Sequence, residues 1–325
     1  MKRTIVGMIL GLSLLYVSVK DMSFDAVMHD FSRMHYVYLV PALLLSMMTL
    51  LLRSLRWGYI IAPFQLVPQR QLFPITCIGF MAIALMPLRT GELMRPYLLA
   101  TKTETPLSSA VATIFVERVL DAFVMIGMML LVILFADFPP LVIRSGYVLF
   151  TMFLIMTTSV CLLYFKSALF MKLVLSVTRR FPERIKAMIQ KSLSSFIAGF
   201  SVIANPLSLL NAFLLSVCIW FLSGILIFSL FSFSNVHLPV VAAFAVLVIT
   251  VIGISLPAAP GFIGNFQFGC IFALSLFHIE KSEALSFSLI YYVMGIGVNI
   301  AAGLLFLPFY TISIREMKKV FQYEQ

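Results

Sequence analysis

Two short stretches hold the residues that could do chemistry. Pro87-Leu88-Arg89-Thr90-Gly91-Glu92-Leu93-Met94-Arg95 and Glu117-Arg118-Val119-Leu120-Asp121 stand beside or inside long apolar runs. At helical spacing Glu117 and Asp121 share one face at i,i+4, and Arg118 and Asp121 are i,i+3 neighbours able to pair. Three cations (Arg89, Arg95, Arg118) and three anions (Glu92, Glu117, Asp121) are thus gathered close to the membrane. Each ionised group at the centre of a spanning helix costs at least about 2.5–3.5 kcal/mol, so these six must pair or face water. Arginine suits bidentate contact with phosphate. One reading therefore has Arg89, Arg95 and Arg118 receiving an anionic phosphate headgroup, while Glu92, Glu117 and Asp121 hold the arginines or meet an amine-bearing headgroup. The other reading is an internal salt-bridge network that locks neighbouring helices. Arg53 and Arg56-Trp57 read as anchors at the cytoplasmic interface, with Trp at headgroup level.

The elements that carry these charges follow from composition. Of 325 residues, 62% are apolar and 11% charged, with 31 Phe and 19 Met, and the mean hydropathy is +1.06. A soluble domain is about 45–50% apolar and about 25% charged, so this chain lacks the polar residues for a water-facing surface. An integral membrane protein is expected; disorder, a disulfide scaffold and a secreted enzyme are excluded. The net charge of +10 reads as basic cytoplasmic loops facing anionic headgroups, not as a nucleic-acid site. Cys77, Cys161, Cys218 and Cys270 are widely spaced, as are the four His, so no metal site and no cofactor are expected.

Apolar runs cover 4–19, 36–52, 72–88, 106–136, 145–165, 207–233, 239–256, 262–277 and 285–312. They are too continuous for barrel strands. The expected fold is an all-α, polytopic helical membrane protein with about seven to nine membrane segments, forming one domain over 1–325. Its halves, 1–165 and 207–314, are joined by a basic cytoplasmic segment, 166–206, whose amphipathic spacing suggests helices lying on the membrane surface. With Lys2-Arg3 inside, both ends of the Arg70–Lys102 stretch fall in the cytoplasm, and the single run between them must dip in and return as a broken hairpin. The alternative makes Arg89–Arg95 an outside loop and Pro96–Phe115 a further crossing. Non-helical backbone and charge at membrane depth require surrounding protein or a water-filled cavity.

The second half echoes the first. Pro87-Leu88-Arg89-Thr90-Gly91 and Pro257-Ala258-Ala259-Pro260-Gly261 share Pro-x-x-x-Gly after an apolar run. If 239–277 is also a broken hairpin, it enters from the opposite side, as in an inverted repeat with the substrate site between the two. Two full crossings over the same stretch satisfy the topology equally.

Pro87-x-Arg89-x-Gly91-Glu92-x-x-Arg95 and Glu117-Arg118-x-x-Asp121 resemble the signatures of the flippase-like family related to the transmembrane region of lysylphosphatidylglycerol synthases. Arg56-Trp57 and the Pro257–Gln267 stretch, with Pro260, Gly261, Gly264 and Gln267, resemble further motifs of that family, although Gln267 replaces an acid often found there. The resemblance implies a bacterial or archaeal membrane protein that translocates or handles lipids; with the topology read from the basic loops, an inner-membrane protein with both termini cytoplasmic is expected. Phospholipid or isoprenoid-linked lipids would be its partners, with a separate lipid-modifying synthase as a further one. No enzyme activity is expected; the alternatives are an embedded glycosyl- or aminoacyl-transferase and an accessory subunit of a synthase.

Overall fold

A helix needs about 20 apolar residues to cross a hydrocarbon core of about 30 Å, so helix length separates spans from partial insertions. In the computed structural model, which describes residues 2–20, 24–135, 140–178, 181–234, 236–255 and 259–310, the described residues form helices and turns and no strand. The helices are α1 (Lys2–Val19), α2 (Phe24–Ser32), α3 (Leu39–Ile61), α4 (Gln69–Leu85), α5 (Met94–Lys102), α6 (Leu107–Phe135) and α7 (Pro140–Phe165). They continue with α8 (Ser167–Val177), α9 (Glu183–Ala198), α10 (Pro206–Phe233), α11 (Val240–Ser255), α12 (Asn265–Ser275), α13 (Lys281–Tyr292) and α14 (Val298–Phe306). A π-turn, Val293–Gly297, joins the last two. Among the described residues five stretches are long and apolar enough to cross a membrane: Tyr36–Ile61, Leu107–Phe135, Gly146–Phe165, Pro206–Phe233 and Lys281–Phe309.

The frame is an antiparallel pair, α3 against α10. The His35 N–H donates to the Phe233 carbonyl at 2.8 Å at one end, Arg56 reaches Ser216 in the middle, and Ile60 packs with Ala212 and Val202 at the other end. The bundle therefore has two distinguishable ends. Ile61, Leu72, Leu99 and Phe306 cluster at one; Met34, Phe233, Ala242 and Leu274 cluster at the opposite one.

Helices α4 and α5 form a broken hairpin that starts and finishes at the Ile61 end. After Leu85 the chain turns through Pro87–Leu93 and runs back along α4, so that a Cβ on Gly91 would stand 2.2 Å from the Ala82 carbonyl and one on Gly79 would stand 2.0 Å from the Arg95 side chain. Nine residues of α5 span only about 14 Å, which rules out a separate crossing there. Helices α11 and α12 make a second broken hairpin from the Phe233 end. Gly253 faces Asn265 and Gly269 faces Thr250 across its seam, and α12, at 11 residues, is again too short to cross. The tips meet, the Pro87–Leu93 turn touching Pro260–Phe262. The expected first hairpin is thus present, 239–277 takes the broken-hairpin form of the two readings left open for it, and the two enter from opposite ends.

Each hairpin is preceded by one long helix and followed by another. Helix α4 packs on α14 as α11 packs on α6, the pairing that an inverted repeat of 39–135 on 206–306 requires. Helix α1 crosses beside the second tip, with Gly11 against Ala259 and Ile263. At the Ile61 end α9 lies across the start of α6, its Ser195 carbonyl accepting from the Ser109 hydroxyl at 2.6 Å.

Two substitutions test this arrangement. In a background lacking the four native cysteines, Lys102→Cys and Val240→Cys should react with a membrane-impermeant thiol reagent from opposite sides, position 102 from the cytoplasm. Labelling of both from one side would exclude opposed hairpins.

Candidate functional site

One turn of α3 delivers three side chains to the bundle interior. Arg53, Arg56 and Trp57 stand at i, i+3 and i+4, a spacing that puts them on one helix face. This overturns the reading of Arg53 and Arg56-Trp57 as interface anchors. Helix α3 continues to Ile61 instead of ending near Leu52, and Arg56 and Trp57 are fully buried. The apolar run stops at Leu52 only because arginine scores as polar. Arg56, paired across the bundle, and Arg53, laid over aromatic rings, need no exit from the helix.

Opposite them, α6 presents Glu117 and Asp121 one turn apart and buried, about 15 Å along the helix from Leu107. Arg56 bridges both acids: Nη1 pairs with Asp121 Oδ1, and Nη2 lies 3.4 Å from Asp121 Oδ2 and 3.4 Å from Glu117 Oε1. Its Nη1 also donates to the Ser216 hydroxyl at 2.9 Å. Trp220 Nε1 donates to Asp121 Oδ1 at 2.9 Å, and Arg118 Nη2 sits 3.5 Å from Asp121 Oδ2. Helices α3, α6 and α10 are therefore joined through one carboxylate.

The first hairpin adds Arg95. Its chain lies over Gly79, where any Cβ would displace it, and its Nη2 donates to Glu117 Oε2 at 2.5 Å. The guanidinium is 5.0 Å from the Phe80 ring centre and 5.2 Å from that of Trp57. Trp57 is held in turn by Nε1 donating to Thr113 Oγ1 at 2.9 Å. Cation–π contacts of this kind supply about 2 kcal/mol or more when desolvated, partly replacing lost hydration.

Arg53 differs from the other three arginines. Its guanidinium lies 4.6 Å from the Phe80 ring centre and 5.9 Å from that of Trp220, so it shares Phe80 with Arg95. Among the described residues it has no hydrogen bond and no carboxylate within salt-bridge distance. The described cluster thus sets four guanidinium groups (Arg53, Arg56, Arg95, Arg118) against two carboxylates (Glu117, Asp121). Several donors within it, including Nε and Nη1 of Arg95 and Nε of Arg56, are buried without a hydrogen-bond acceptor. The surplus is cationic, and most of its unfilled valences are donors; Glu117 Oε1, 3.4 Å from Arg56 Nη2, is a buried acceptor without a hydrogen bond.

The remaining sequence candidates lie at the hairpin tips. Pro87 opens the first turn, Gly91 packs on α4 within it, and Glu92 is half-buried there. The Arg89 side chain and Pro257 lie outside the described residues. In the second tip Gly261 and Gly264 take φ of +75° and +87°, values that side-chain-bearing residues rarely adopt. The Gly264 N–H donates to Gln267 Oε1 at 2.8 Å, and Pro260 starts the short turn between them. Gln267 therefore caps α12 and stands apart from the charged cluster. Of the sequence candidates the structure places Arg95, Glu117, Arg118 and Asp121 together, and it adds Arg53, Arg56, Trp57 and Trp220, which sequence reading did not place there; the one-turn Arg53-x-x-Arg56-Trp57 spacing was the available signal for the first three. Among the described residues no group of three or more His, Cys, Asp or Glu is placed to hold a metal ion.

Comparison with known families gives a match over residues 4–303 to the family described as the lysylphosphatidylglycerol synthase TM region. No curated protein and no solved structure matches the chain. The chain belongs to that family, and it is a multi-pass helical membrane protein.

Removing one member of a buried ion pair costs about 3–5 kcal/mol, because the other charge is left uncompensated, whereas replacing both by apolar groups is far cheaper. Glu117→Leu should therefore lower the melting temperature in detergent sharply, and Arg95→Met/Glu117→Leu should recover more than half of the loss. A double variant no better than Glu117→Leu would show that the pair is not a coupled unit.

Proposed function

We propose that this protein translocates a lipid between leaflets, holding its anionic phosphate headgroup in the arginine-rich cluster. The observation that carries this reading is the surplus of guanidinium over carboxylate among Arg53, Arg56, Arg95, Arg118, Glu117 and Asp121. A salt-bridge network built only to lock helices would balance its charges, since each unmatched cation at membrane depth is costly. An incoming phosphate would supply the missing negative charge and the acceptors that the buried Nε and Nη1 atoms lack.

The opposed hairpins support movement as well as binding. In inverted-repeat transporters the substrate site lies where broken helices meet, and rocking of one repeat against the other opens it to alternate sides. Here the tips touch, and the charged cluster is built from α3, the first hairpin, α6 and α10. Family membership agrees with a protein of the lipid-modifying or flippase type. The rest of the reading is a non-enzymatic translocator in the inner membrane with cytoplasmic termini, moving a phospholipid or an isoprenoid-linked lipid, in some settings beside a separate synthase; residues 311–325 lie outside those described.

Purified protein in liposomes should exchange labelled lipids between leaflets faster than protein-free vesicles. Asp121→Asn, which leaves the size of the site unchanged but weakens its hold on Arg56, should slow exchange about tenfold or more, equivalent to at least 1.4 kcal/mol in the barrier. Exchange no faster than in empty vesicles for every phospholipid and isoprenoid phosphate tried would sink the proposal.

A further inference from the structure

The four arginines of the cluster are not equivalent. Arg56 and Arg95 are fully buried; Arg56 spends both Nη groups on Asp121, Glu117 and Ser216, and Arg95 spends Nη2 on Glu117 while its Nη1 has no acceptor. Arg118 is 31% exposed and rests against Asp121. Arg53 is half-buried, lies over the faces of Phe80 and Trp220 and, among the described residues, has no hydrogen bond or ion pair. An arginine inside a spanning helix faces the bundle interior or a water-filled cavity, because contact with lipid tails is costly, and Arg53 lies on the interior side, over Phe80 and Trp220. Its aromatic neighbours fix the guanidinium plane but offer no acceptor, so every Nη and Nε hydrogen of Arg53 is available to a ligand. The surroundings are hostile to a second cation: Arg56 is one turn away on the same helix, Arg95 shares the Phe80 ring, and both acids are already engaged.

We infer that Arg53 is the specificity-determining residue of the site, and that it selects lipids whose headgroup carries a phosphate and no amine. This rests on the reading of the cluster as a lipid headgroup site. A phosphatidic acid, a phosphatidylglycerol or an isoprenoid phosphate places negative charge against Arg53 and brings nothing that the surplus cations repel. A zwitterionic headgroup places its ammonium group among guanidinium groups, where the carboxylates of Glu117 and Asp121 are already ion-paired with arginine. A headgroup with a lysyl ester is net cationic and fares worst. Selectivity arises here as much from repulsion of the wrong headgroup as from attraction of the right one.

The reporter is built in. The chain's two tryptophans are Trp57 and Trp220, and both contact arginines of the cluster, so intrinsic fluorescence follows binding without a label. Detergent-solubilised protein would be titrated with short-chain phosphatidic acid, phosphatidylglycerol, phosphatidylethanolamine, phosphatidylcholine and lysyl-phosphatidylglycerol, and separately with inorganic phosphate and glycerol 3-phosphate. Phosphatidic acid and phosphatidylglycerol should saturate with a Kd at least about tenfold below those of the other lipids and of the two water-soluble phosphates. Arg53→Gln should abolish the preference and Arg53→Lys should restore part of it. Both variants leave the Arg56–Asp121 and Arg95–Glu117 pairs in place, so an unchanged melting temperature excludes misfolding as the cause.

Equal affinity for zwitterionic or lysyl-bearing lipids would overturn the inference, as would a preference that survives in Arg53→Gln. Binding of inorganic phosphate or glycerol 3-phosphate as tight as that of the lipids would overturn the lipid assignment in favour of a soluble phosphate ligand. The translocation proposal fails separately. Selective binding without leaflet exchange would overturn translocation alone, and exchange without headgroup preference would overturn the role of Arg53 alone.

Discussion

Ionised groups far from water cannot be left uncompensated, and this constraint organises the bundle. Asp121 alone receives Arg56, Trp220 and Arg118, which fixes the rotation of α3, α6 and α10 relative to one another. Glu117 then ties the first hairpin to the same centre through Arg95. Apolar packing sets how closely the helices approach, but it is non-directional. The ion network supplies the direction, since each guanidinium must point at a particular oxygen. The helix faces that end up buried against each other are those that satisfy this network.

The two hairpins share a shape and divide the chemistry unequally. The first carries Arg89, Glu92 and Arg95; the second carries neutral Asn265 and Gln267, spent on local hydrogen bonds to Gly253 and Gly264. Small residues do equivalent work in both, at Gly79 and Gly91 in one and Gly253 and Gly269 in the other, by letting the returning strand of the hairpin lie against the backbone of its partner helix. Architecture is thus repeated with inversion while charge is confined to one copy. A site of this kind has one charged wall and one neutral wall, which suits a ligand with a single polar end.

Much of the architecture was legible in the residues. Parity of the basic loops demanded that the chain return between Arg70 and Lys102, and α4 and α5 do return. The second hairpin was open to two readings because its apolar runs, 239–256 and 262–277, are of intermediate length; the Gly253–Gly269 contact decides between them. Arg56 and Arg53 were misplaced for a physical reason. A charge seen in one dimension ends a membrane span, and a charge whose partner lies 65 residues away on another helix does not.

By itself the sequence determined the all-helical membrane class, most of the long apolar helices and the shared face of Glu117 and Asp121, because hydropathy and i,i+4 spacing are local properties. Tertiary structure alone decided which arginines those acids hold, because Asp121 meets Arg56 and Glu117 meets Arg95 only after α3, the first hairpin and α6 have packed. It also left Arg53 over Phe80 and Trp220 with, among the described residues, no carboxylate of its own. Pairing in a low-dielectric interior depends on distances of a few ångström between segments remote in the chain, and no local pattern encodes them.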